Sequence, residues 1–417
     1  MKKVRVMFFC LSLAVFLMAG ILSGCSRDSG SKQVKTLNFW FWDQNGDQVY
    51  DDIIAEFEKD HAGIKINKVL TPWADYWTKL QTALPTGTGP DIFWLNHPNA
   101  VSYLPTGLIM NLEPHANKIQ YEHFHENFYA PYTYKGSRYG VPIFWDVTVL
   151  FYNKALFDKA GVPYPNENWT WTEFYDAARR LTVKEGNKTV QYGIIVDMDP
   201  QSGFCNFVLQ NGGKIFNDDR MSLAIDSPEG REAIQFQLDA IHKNQYAPTI
   251  QELQETTKST LFQSGIAAMV TSQTAIMRQF AEVMGKNLMV APLPKQKQRA
   301  SIFHNLAYVA SAKTKYPEEV ISFMTFLASK KHADILSRIW APCYEDTAAN
   351  LYRIYDWMDT RFITEAIEYS YPLPIAAKNA GAVYTLMGRE MSKIYSNPDL
   401  GNRLTAYTNL INAEIAK

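Results

Sequence analysis

Hydrophobic residues in the first part of the chain recur with two spacings, one typical of strands and one of helices. In the segment 36–42 every second residue is apolar, which predicts a strand with one face in a core. Apolar residues recur every three or four positions over 49–57 and again over 76–84, which predicts two helices. Short apolar runs at 64–66 and 91–96 predict two further strands.

The same alternation returns in the second half of the chain. Thr170 and Glu173 have the spacing of a capping box, and Ser227-Pro228 has the residue types of a helix start. Further strands are predicted over 191–196, in the segment that ends at 271, and over 288–290. Further helices are predicted after Pro317 and from 350 onward. Repetition of strand and helix at this spacing predicts parallel sheets covered by helices.

The longest apolar run that follows the leader covers 139–154 and contains a single acid, Asp146. A run of this kind is typical of a strand buried on both faces. Because an unpaired carboxylate in such a strand is costly, Asp146 needs partners or a wet cleft beside it. We predict that the strand passes from one domain into another and that Trp145 and Asp146 face the gap between them. The alternative is an ordinary core strand with its acid at an edge.

The first 24 residues have the pattern of a bacterial lipoprotein signal peptide. Basic residues precede the apolar stretch 6–21, which is shorter than the roughly 20 residues of a spanning helix. Leu-Ser-Gly-Cys at 22–25 resembles a lipobox, in which Cys25 is acylated and becomes the mature N-terminus; a plain signal peptide with an incidental Cys is the alternative. The expectation is a signal peptide over 1–24, a polar tether over 25–34 and a lipid-anchored protein on the outer face of the cell membrane.

Length and composition narrow the class of protein. The part of the 417-residue chain after the leader exceeds what a single core usually serves, so two domains are expected. A formal net charge of −1 offers no electrostatic basis for binding nucleic acid. No C-x-x-C or H-E-x-x-H spacing occurs, so we expect no metal and no cofactor. Cys205 and Cys343 could form a disulfide outside the cell or remain buried thiols, and both readings stay open.

Several short motifs match one family in both order and spacing. They are the aromatic strand 36–42, Gly-Pro-Asp-Ile-Phe-Trp at 89–94, Gly-Val-Pro at 140–142 leading into Leu-Phe-Tyr-Asn-Lys at 150–154, Trp-Thr-Glu-Phe at 171–174, Asn-Gly-Gly at 211–213, Phe-Gln-Ser-Gly-Ile-Ala-Ala-Met at 262–269 and Ala-Pro-Leu-Pro at 291–294. With them the chain resembles a substrate-binding lipoprotein of an ABC importer, from extracellular solute-binding protein family 1, which includes maltose-binding protein.

The resemblance implies an α/β, two-lobe periplasmic-binding-protein fold. Each lobe would be a helix-flanked, mostly parallel sheet, with crossing hinge strands and a ligand cleft between the lobes. Lobe one would comprise 35–143 and 298–345, and lobe two 147–293 and 350–417. The implied function is non-enzymatic: a monomer captures a carbohydrate, an oligosaccharide above all, by cleft closure and delivers it to the permease subunits of the transporter.

Candidate ligand contacts are aromatic, acidic and amide residues at strand ends, because sugars present apolar C–H faces and many hydroxyl groups. The set is Trp42, Asp43, Gln44, Trp94, Asn96, Trp145, Asp146, Ser272, Gln273 and Asn305. Trp42 with Asp43 could instead be a core residue followed by a helix cap, and Trp94 could be a core residue. The loop 197–204 lies where the family has second-lobe contacts; His304 and Trp340 are ranked lower.

Two departures from the family pattern argue against maltodextrin as the ligand. His97-Pro98 replaces an acidic-basic pair, and Ala-Ile-Met at 275–277 stands where the family often has a Trp. Two other classes of function are compatible with the sequence. One is a binding protein for a non-sugar solute, iron or a polyamine. The other is a lipid-anchored glycoside hydrolase, which would need Asp43 and Asp146 as a carboxylate pair about 5–10 Å apart.

Overall fold

A computed structural model of the chain describes residues 34–417. The predicted signal peptide, Cys25 and nearly all of the tether lie outside these residues. Within 34–417 no helix is long and apolar enough to cross a membrane. Cys205 and Cys343 are both buried and free, so the disulfide left open by the sequence is not formed.

Thirteen strands occur in the described residues, numbered in chain order. They are β1 Lys35–Phe41, β2 Ile64–Leu70, β3 Ile92–Asn96, β4 Thr133–Tyr134, β5 Ser137–Arg138, β6 Gly140–Asn153, β7 Val183–Glu185, β8 Lys188–Gln191, β9 Met269–Gln273, β10 Leu288–Ala291, β11 Ser301–Ala310, β12 Ala341–Pro342 and β13 Ser370–Pro372.

Eighteen α-helices lie in the same part of the chain. They are α1 Asp47–Asp60, α2 Trp73–Thr86, α3 His97–Tyr103, α4 Ala116–Ile119, α5 Glu126–Tyr129, α6 Lys154–Ala160, α7 Trp171–Leu181, α8 Phe204–Gln210, α9 Pro228–Leu238, α10 Ile250–Glu255, α11 Lys258–Gln263, α12 Met277–Met284, α13 Pro317–Leu327, α14 Lys330–Leu336, α15 Ala348–Tyr352, α16 Arg361–Glu365, α17 Ala380–Tyr395 and α18 Arg403–Ile415.

One large sheet connects the strands that matter for the site, in the order β10-β6-β11-β3-β1-β2. Pairing is parallel between β1 and its neighbours β2 and β3, as the alternation of strands and helices predicts. The long strands β6 and β11 pair antiparallel with each other, and β11 is also antiparallel to β3. The mostly parallel arrangement that was expected therefore holds for the first strands and for β13 on β11.

The predicted core positions of the first strand are confirmed. Leu37, Phe39 and Phe41 are fully buried, and the apolar face of α1 packs in the same cluster. Full burial of a large apolar side chain contributes about 1.5–3 kcal/mol, so this strand and helix form a substantial part of the core. A second cluster forms around α7, α8, α9 and the C-terminal helices α17 and α18.

The helix starts read from the sequence are also confirmed. Thr170 and Glu173 form both hydrogen bonds of the capping box at α7, and Ser227 accepts from the Gly230 backbone N–H at α9. Three strand assignments differ from the prediction. The segment 191–196 forms isolated bridges to Ala267 and to Val270 of β9 rather than a regular strand. Strand β11, in the middle of the sheet, was not predicted, and β13 interrupts the C-terminal region expected to be helical.

Candidate functional site

Strand β6 changes its partners halfway along its length. Its first half, up to Val147, pairs with β11 on one side and β12 on the other. From Thr148 onward it pairs with β9, and from Leu150 also with β10. The change falls directly after Asp146, the acid that the sequence singles out. Side chains just before this point lie where two sets of strands meet, which is where α/β proteins commonly bind small ligands.

Two side chains on one face of β6 are partly exposed at this point. Phe144 and Asp146 retain access to solvent, whereas Ile143, Trp145 and Val147 are buried. This alternation follows from the strand itself, since successive side chains point to opposite faces. In the antiparallel register Asp146 lies opposite His304 of β11, and Phe144 lies opposite Pro342 of β12.

Phe144 and Trp340 stack face to face, and we call this pair of rings the platform. Their ring centroids are 4.5 Å apart and the rings are nearly parallel, at 12°. Trp340 also contacts Trp94 edge-on at 5.5 Å. The turn after β1 packs closely against this platform. A Cβ added to Gly46 would lie only 2.4 Å from the Trp340 ring. Only glycine fits at position 46 without displacing the Trp340 ring or the turn.

Asp146 supplies a carboxylate beside the platform. Its Oδ1 accepts a hydrogen bond of 2.6 Å from the Gln201 side-chain amide, and its Oδ2 lies 3.7 Å from His304 Nδ1. The two side chains of the Asp146–His304 pair are 12% and 19% exposed, so a small polar ligand can still reach them. Burial lowers the pKa of the neighbouring His97 to about 3, with smaller contributions from His304 and Arg220, so His97 is neutral at physiological pH.

A chain of buried hydrogen bonds supports Trp94 beneath the platform. Trp94 Nε1 donates to the Tyr50 hydroxyl at 3.0 Å, the Tyr50 and Tyr308 hydroxyls are 2.6 Å apart, and Tyr308 lies 3.0 Å from His332 Nε2. Burial lowers the pKa of His332 to about 3, which keeps its ring neutral. The neutral His332 ring donates its one N–H to the Leu327 backbone, so Nε2 accepts from the Tyr308 hydroxyl. The Tyr308 oxygen then accepts from the Tyr50 hydroxyl, and the Tyr50 oxygen accepts from Trp94.

The three predicted residues at the end of β1 lie beside this region. Trp42 is half-buried among aromatic rings, with Tyr76 and Trp94 each at 4.9 Å. Asp43 accepts from the Asn45 backbone N–H at 2.9 Å, which is the cap considered as the alternative. Gln44 is exposed on the same turn. All three remain near the surface, and Trp42 contacts the same Trp94 ring as Trp340 does.

The structure gives several other predicted contacts core or capping positions. Trp94 is fully buried, and Asn96 Oδ1 caps α3 by accepting from the Asn99 backbone N–H at 3.2 Å. Asn305 is 1% exposed and donates to the Phe128 carbonyl at 2.7 Å. Satisfying a buried backbone acceptor accounts for an amide at this position.

Trp145 and Asp146 do not face the same gap, which corrects the expectation from the sequence. Trp145 is 4% exposed and packs on Phe128 at 5.3 Å, on the face opposite to Asp146. At the end of β9, Ser272 is 1% exposed whereas Gln273 keeps partial exposure. Of the predicted set, Asp146 is therefore central, and Trp42, Asp43, Gln44 and Gln273 stay accessible.

Four further residues complete the site: Phe144 and Gln201, which were not named from the sequence, and His304 and Trp340, which were ranked below the predicted set. Phe144 could have been chosen over Trp145 by counting alternate positions from Asp146 along the strand. Gln201 lies in the loop 197–204 that the sequence indicated without naming a residue. Among the described residues, no group of three or more His, Cys, Asp or Glu side chains is placed to hold a metal ion.

Comparison with known proteins identifies the class that this fold and site define. The family model described as bacterial extracellular solute-binding protein matches residues 42–334. The chain belongs to this family, and the predicted periplasmic-binding-protein fold and the non-enzymatic class of function are confirmed.

Three relatives illustrate the similarity. The arabinooligosaccharide-binding protein of Bacillus subtilis is 25% identical over 356 residues, covering 82% of this chain and 79% of that protein. The galactooligosaccharide-binding protein of the same organism is 26% identical over 393 residues, covering 89% and 88%. The ABC substrate-binding protein of Listeria monocytogenes, solved in complex with cycloalternan, superposes with a TM-score of 0.80 at 25% identity, covering 92% of this chain and all of that one. The chain spans 56% of the length of a Brucella abortus protein to which it is 24% identical.

Proposed function

We propose that this protein is the solute-binding component of an ABC importer and that its solute is a carbohydrate, an oligosaccharide above all. The observation that carries the proposal is the Phe144–Trp340 platform with the Asp146 carboxylate on the same face of β6. An aromatic plane packs against the C–H face of a sugar ring. A carboxylate accepts hydrogen bonds from sugar hydroxyls, which must be paired when they leave water.

Gln201 and His304 fit the same role. Gln201 occupies one oxygen of Asp146 and keeps its own carbonyl oxygen as an acceptor, so the pair offers acceptors and donors side by side. Because no Lys or Arg side chain pairs with Asp146 in the described residues, the carboxylate has capacity left for a neutral polar ligand. Two B. subtilis relatives named for oligosaccharides, and the Listeria protein solved with cycloalternan, support a sugar as the class of ligand.

The proposed function also includes a lipid anchor and closure of the two lobes over the ligand. Cys25 would carry the lipid that holds the protein at the outer face of the membrane. The protein would act as a monomer with lobe one over 35–143 and 298–345 and lobe two over 147–293 and 350–417. Ligand capture would stabilise the closed arrangement of the lobes about β6, and the permease subunits would bind that arrangement.

A non-sugar ligand is less well supported by the site. Iron would require several oxygen or nitrogen ligands in one place, and the cluster of His and acidic residues that could help is missing from the described part. A polyamine would require several converging carboxylates. At the strand junction Asp146 is accompanied by an amide and a histidine instead.

A thermal-shift screen against mono- and oligosaccharides, ferric iron and spermidine tests the proposal. A ligand present at about 100 times its dissociation constant adds roughly 2.7 kcal/mol to the free energy of unfolding, which gives a clear rise in Tm. Asp146→Ala should weaken binding of the sugar that raises the Tm, with little loss of fold. The matched control is Asp158→Ala at an exposed ion pair. A response to iron or spermidine with none to sugars would overturn the proposal.

A further inference from the structure

The loop 197–203 that carries Gln201 is folded tightly around an acidic side chain. The backbone N–H groups of Gln201 and Ser202 donate to Asp199 Oδ1 at 2.8 and 3.0 Å, and the Gly203 N–H donates to the Asp199 carbonyl at 2.9 Å. A Cβ on Gly203 would lie 1.9 Å from the Asp197 carbonyl oxygen. The close approach of the two ends of the loop therefore requires glycine.

Hydroxyl and amide groups of the surrounding elements fix the backbone next to Gln201. Thr148 of β6 donates to the Gln201 carbonyl at 2.9 Å, and Asn206 of α8 donates to the same oxygen at 2.7 Å. Thr271 of β9 donates to the Ser202 carbonyl at 2.7 Å. Both carbonyls at the tip of the loop are thus held, and the Gln201 side chain extends from a fixed backbone toward Asp146.

Lys258 supplies the positive charge beneath this loop. It forms an ion pair with Asp197, whose side chain is only 9% exposed, and its Nζ donates to Ser202 Oγ at 3.1 Å. Ser202 Oγ in turn donates to Asp197 Oδ2. Burial and the charge of Asp197 raise the pKa of Asp199, and Lys258 opposes that rise. Tyr384 of α17 donates to Asp199 Oδ2 at 3.2 Å.

We propose that Lys258 is a positioning residue for ligand binding: through Asp197 and Ser202 it holds the loop 197–203 in the turn that aims the Gln201 amide at Asp146. Lys258 itself lies at the start of α11 and contacts the loop, not Asp146. Without its ammonium group two neighbouring, largely buried carboxylates lose their cation. Either one of them takes up a proton or the loop opens to water, and both changes alter the backbone that Gln201 depends on.

Hydrogen exchange measured by mass spectrometry tests this without a ligand. In Lys258→Met, amide exchange in peptides covering 197–204 should accelerate about tenfold. A buried charge without its partner should shift the equilibrium between the closed and the open loop toward the open form by a factor of about ten or more. Lys258→Arg should restore protection. Lys154→Met, which removes a cation from an exposed pair with Asp158, is the matched control. Unchanged exchange in 197–204, or acceleration spread equally over β1 and β3, would overturn the assignment.

A double-mutant cycle tests the consequence for affinity, which rests on the proposed function. The probe is the sugar that raises the Tm in the thermal-shift screen. Lys258→Met should raise the Kd for this sugar about tenfold. In a Gln201→Ala background the same substitution should change the Kd by less than about twofold, since the two residues act through one contact. Additive effects would mean that Lys258 does not act through Gln201. If no sugar binds, the proposed function fails while the exchange experiment still decides the role of Lys258.

Discussion

His332 should make the stability of this protein fall in acid, by an amount that follows from its burial. The side chain is 2% exposed and accepts a hydrogen bond from Tyr308 through Nε2. Burial lowers its pKa from 6.5 to about 3, and a backbone hydrogen bond with Leu327 opposes this lowering. Below pH 6.5 the unfolded chain therefore binds a proton at this residue that the folded protein excludes.

The magnitude can be worked out from these two pKa values. Where the unfolded state binds one more proton, the free energy of unfolding rises with pH by about 1.4 kcal/mol per unit. The contribution of His332 is constant above pH 6.5, and stability is lost as the pH falls from 6.5 toward 3. At pH 5 the loss is about 2 kcal/mol. His97, whose pKa burial also lowers to about 3, should add a loss of the same size.

Urea unfolding of the wild type and His332→Asn at several values between pH 7.5 and 4.5 measures this contribution. The variant should be less stable at pH 7.5 by about 1–3 kcal/mol because the Tyr308 hydroxyl loses its partner. Its stability should then fall less steeply, so that the gap between the proteins narrows by about 2 kcal/mol at pH 5. His115→Asn, at a partly exposed position, controls for removing a histidine from the unfolded chain. Parallel pH curves for the wild type and His332→Asn would refute the reasoning.

Three further predictions concern the platform and its support. Trp94→Ala should lower the free energy of unfolding by about 3–5 kcal/mol because the ring is fully buried, and urea unfolding would show it; a change below 1 kcal/mol would contradict this packing. Phe144→Ala should weaken sugar binding by about 0.5–1.5 kcal/mol in calorimetry, with Phe326→Ala on α13 as control; equal Kd values for wild type and Phe144→Ala would count against the platform. Gly46→Ala should displace Trp340 and raise the Kd for the same sugar, and a quenched or shifted tryptophan emission would report the displacement; unaltered emission and affinity would contradict the close approach.

The sequence predicted best those elements whose signals are local. The alternation of Leu37, Phe39 and Phe41 reflects one buried face, and the Thr170–Glu173 spacing satisfies orphan N–H groups within a single helix turn. These features need no knowledge of distant partners. Strand β11 was missed because His304 and Asn305 interrupt its apolar run. The long-range contacts that explain both residues are the Asp146 carboxylate and the Phe128 carbonyl.

For the candidate site, the sequence indicated the segment 139–154, but the structure buries several of the side chains that were selected. Asp146 was selected because a lone acid in an apolar run needs hydrogen-bonding partners or solvent. Trp145 was assigned to the same gap although neighbouring residues of a strand face opposite ways, and Phe144 holds that position instead. Trp340, which the sequence analysis ranked lower, directly precedes β12, a strand of only two residues. Its contact with Phe144 is long-range and could not be predicted from a hydrophobic pattern.

The placement of β11 has a consequence for the order in which the chain can fold. β11 lies between β3 and β6, yet the Ser301 hydroxyl that donates to the Thr148 carbonyl is 153 residues away along the chain. Loop closure over such a length is entropically unfavourable, and contacts of this range are associated with slow folding. A nascent or truncated chain that ends before residue 301 would leave both β3 and β6 with an open edge, which invites pairing between molecules. Completion of the central sheet must therefore wait for the last third of the polypeptide to emerge.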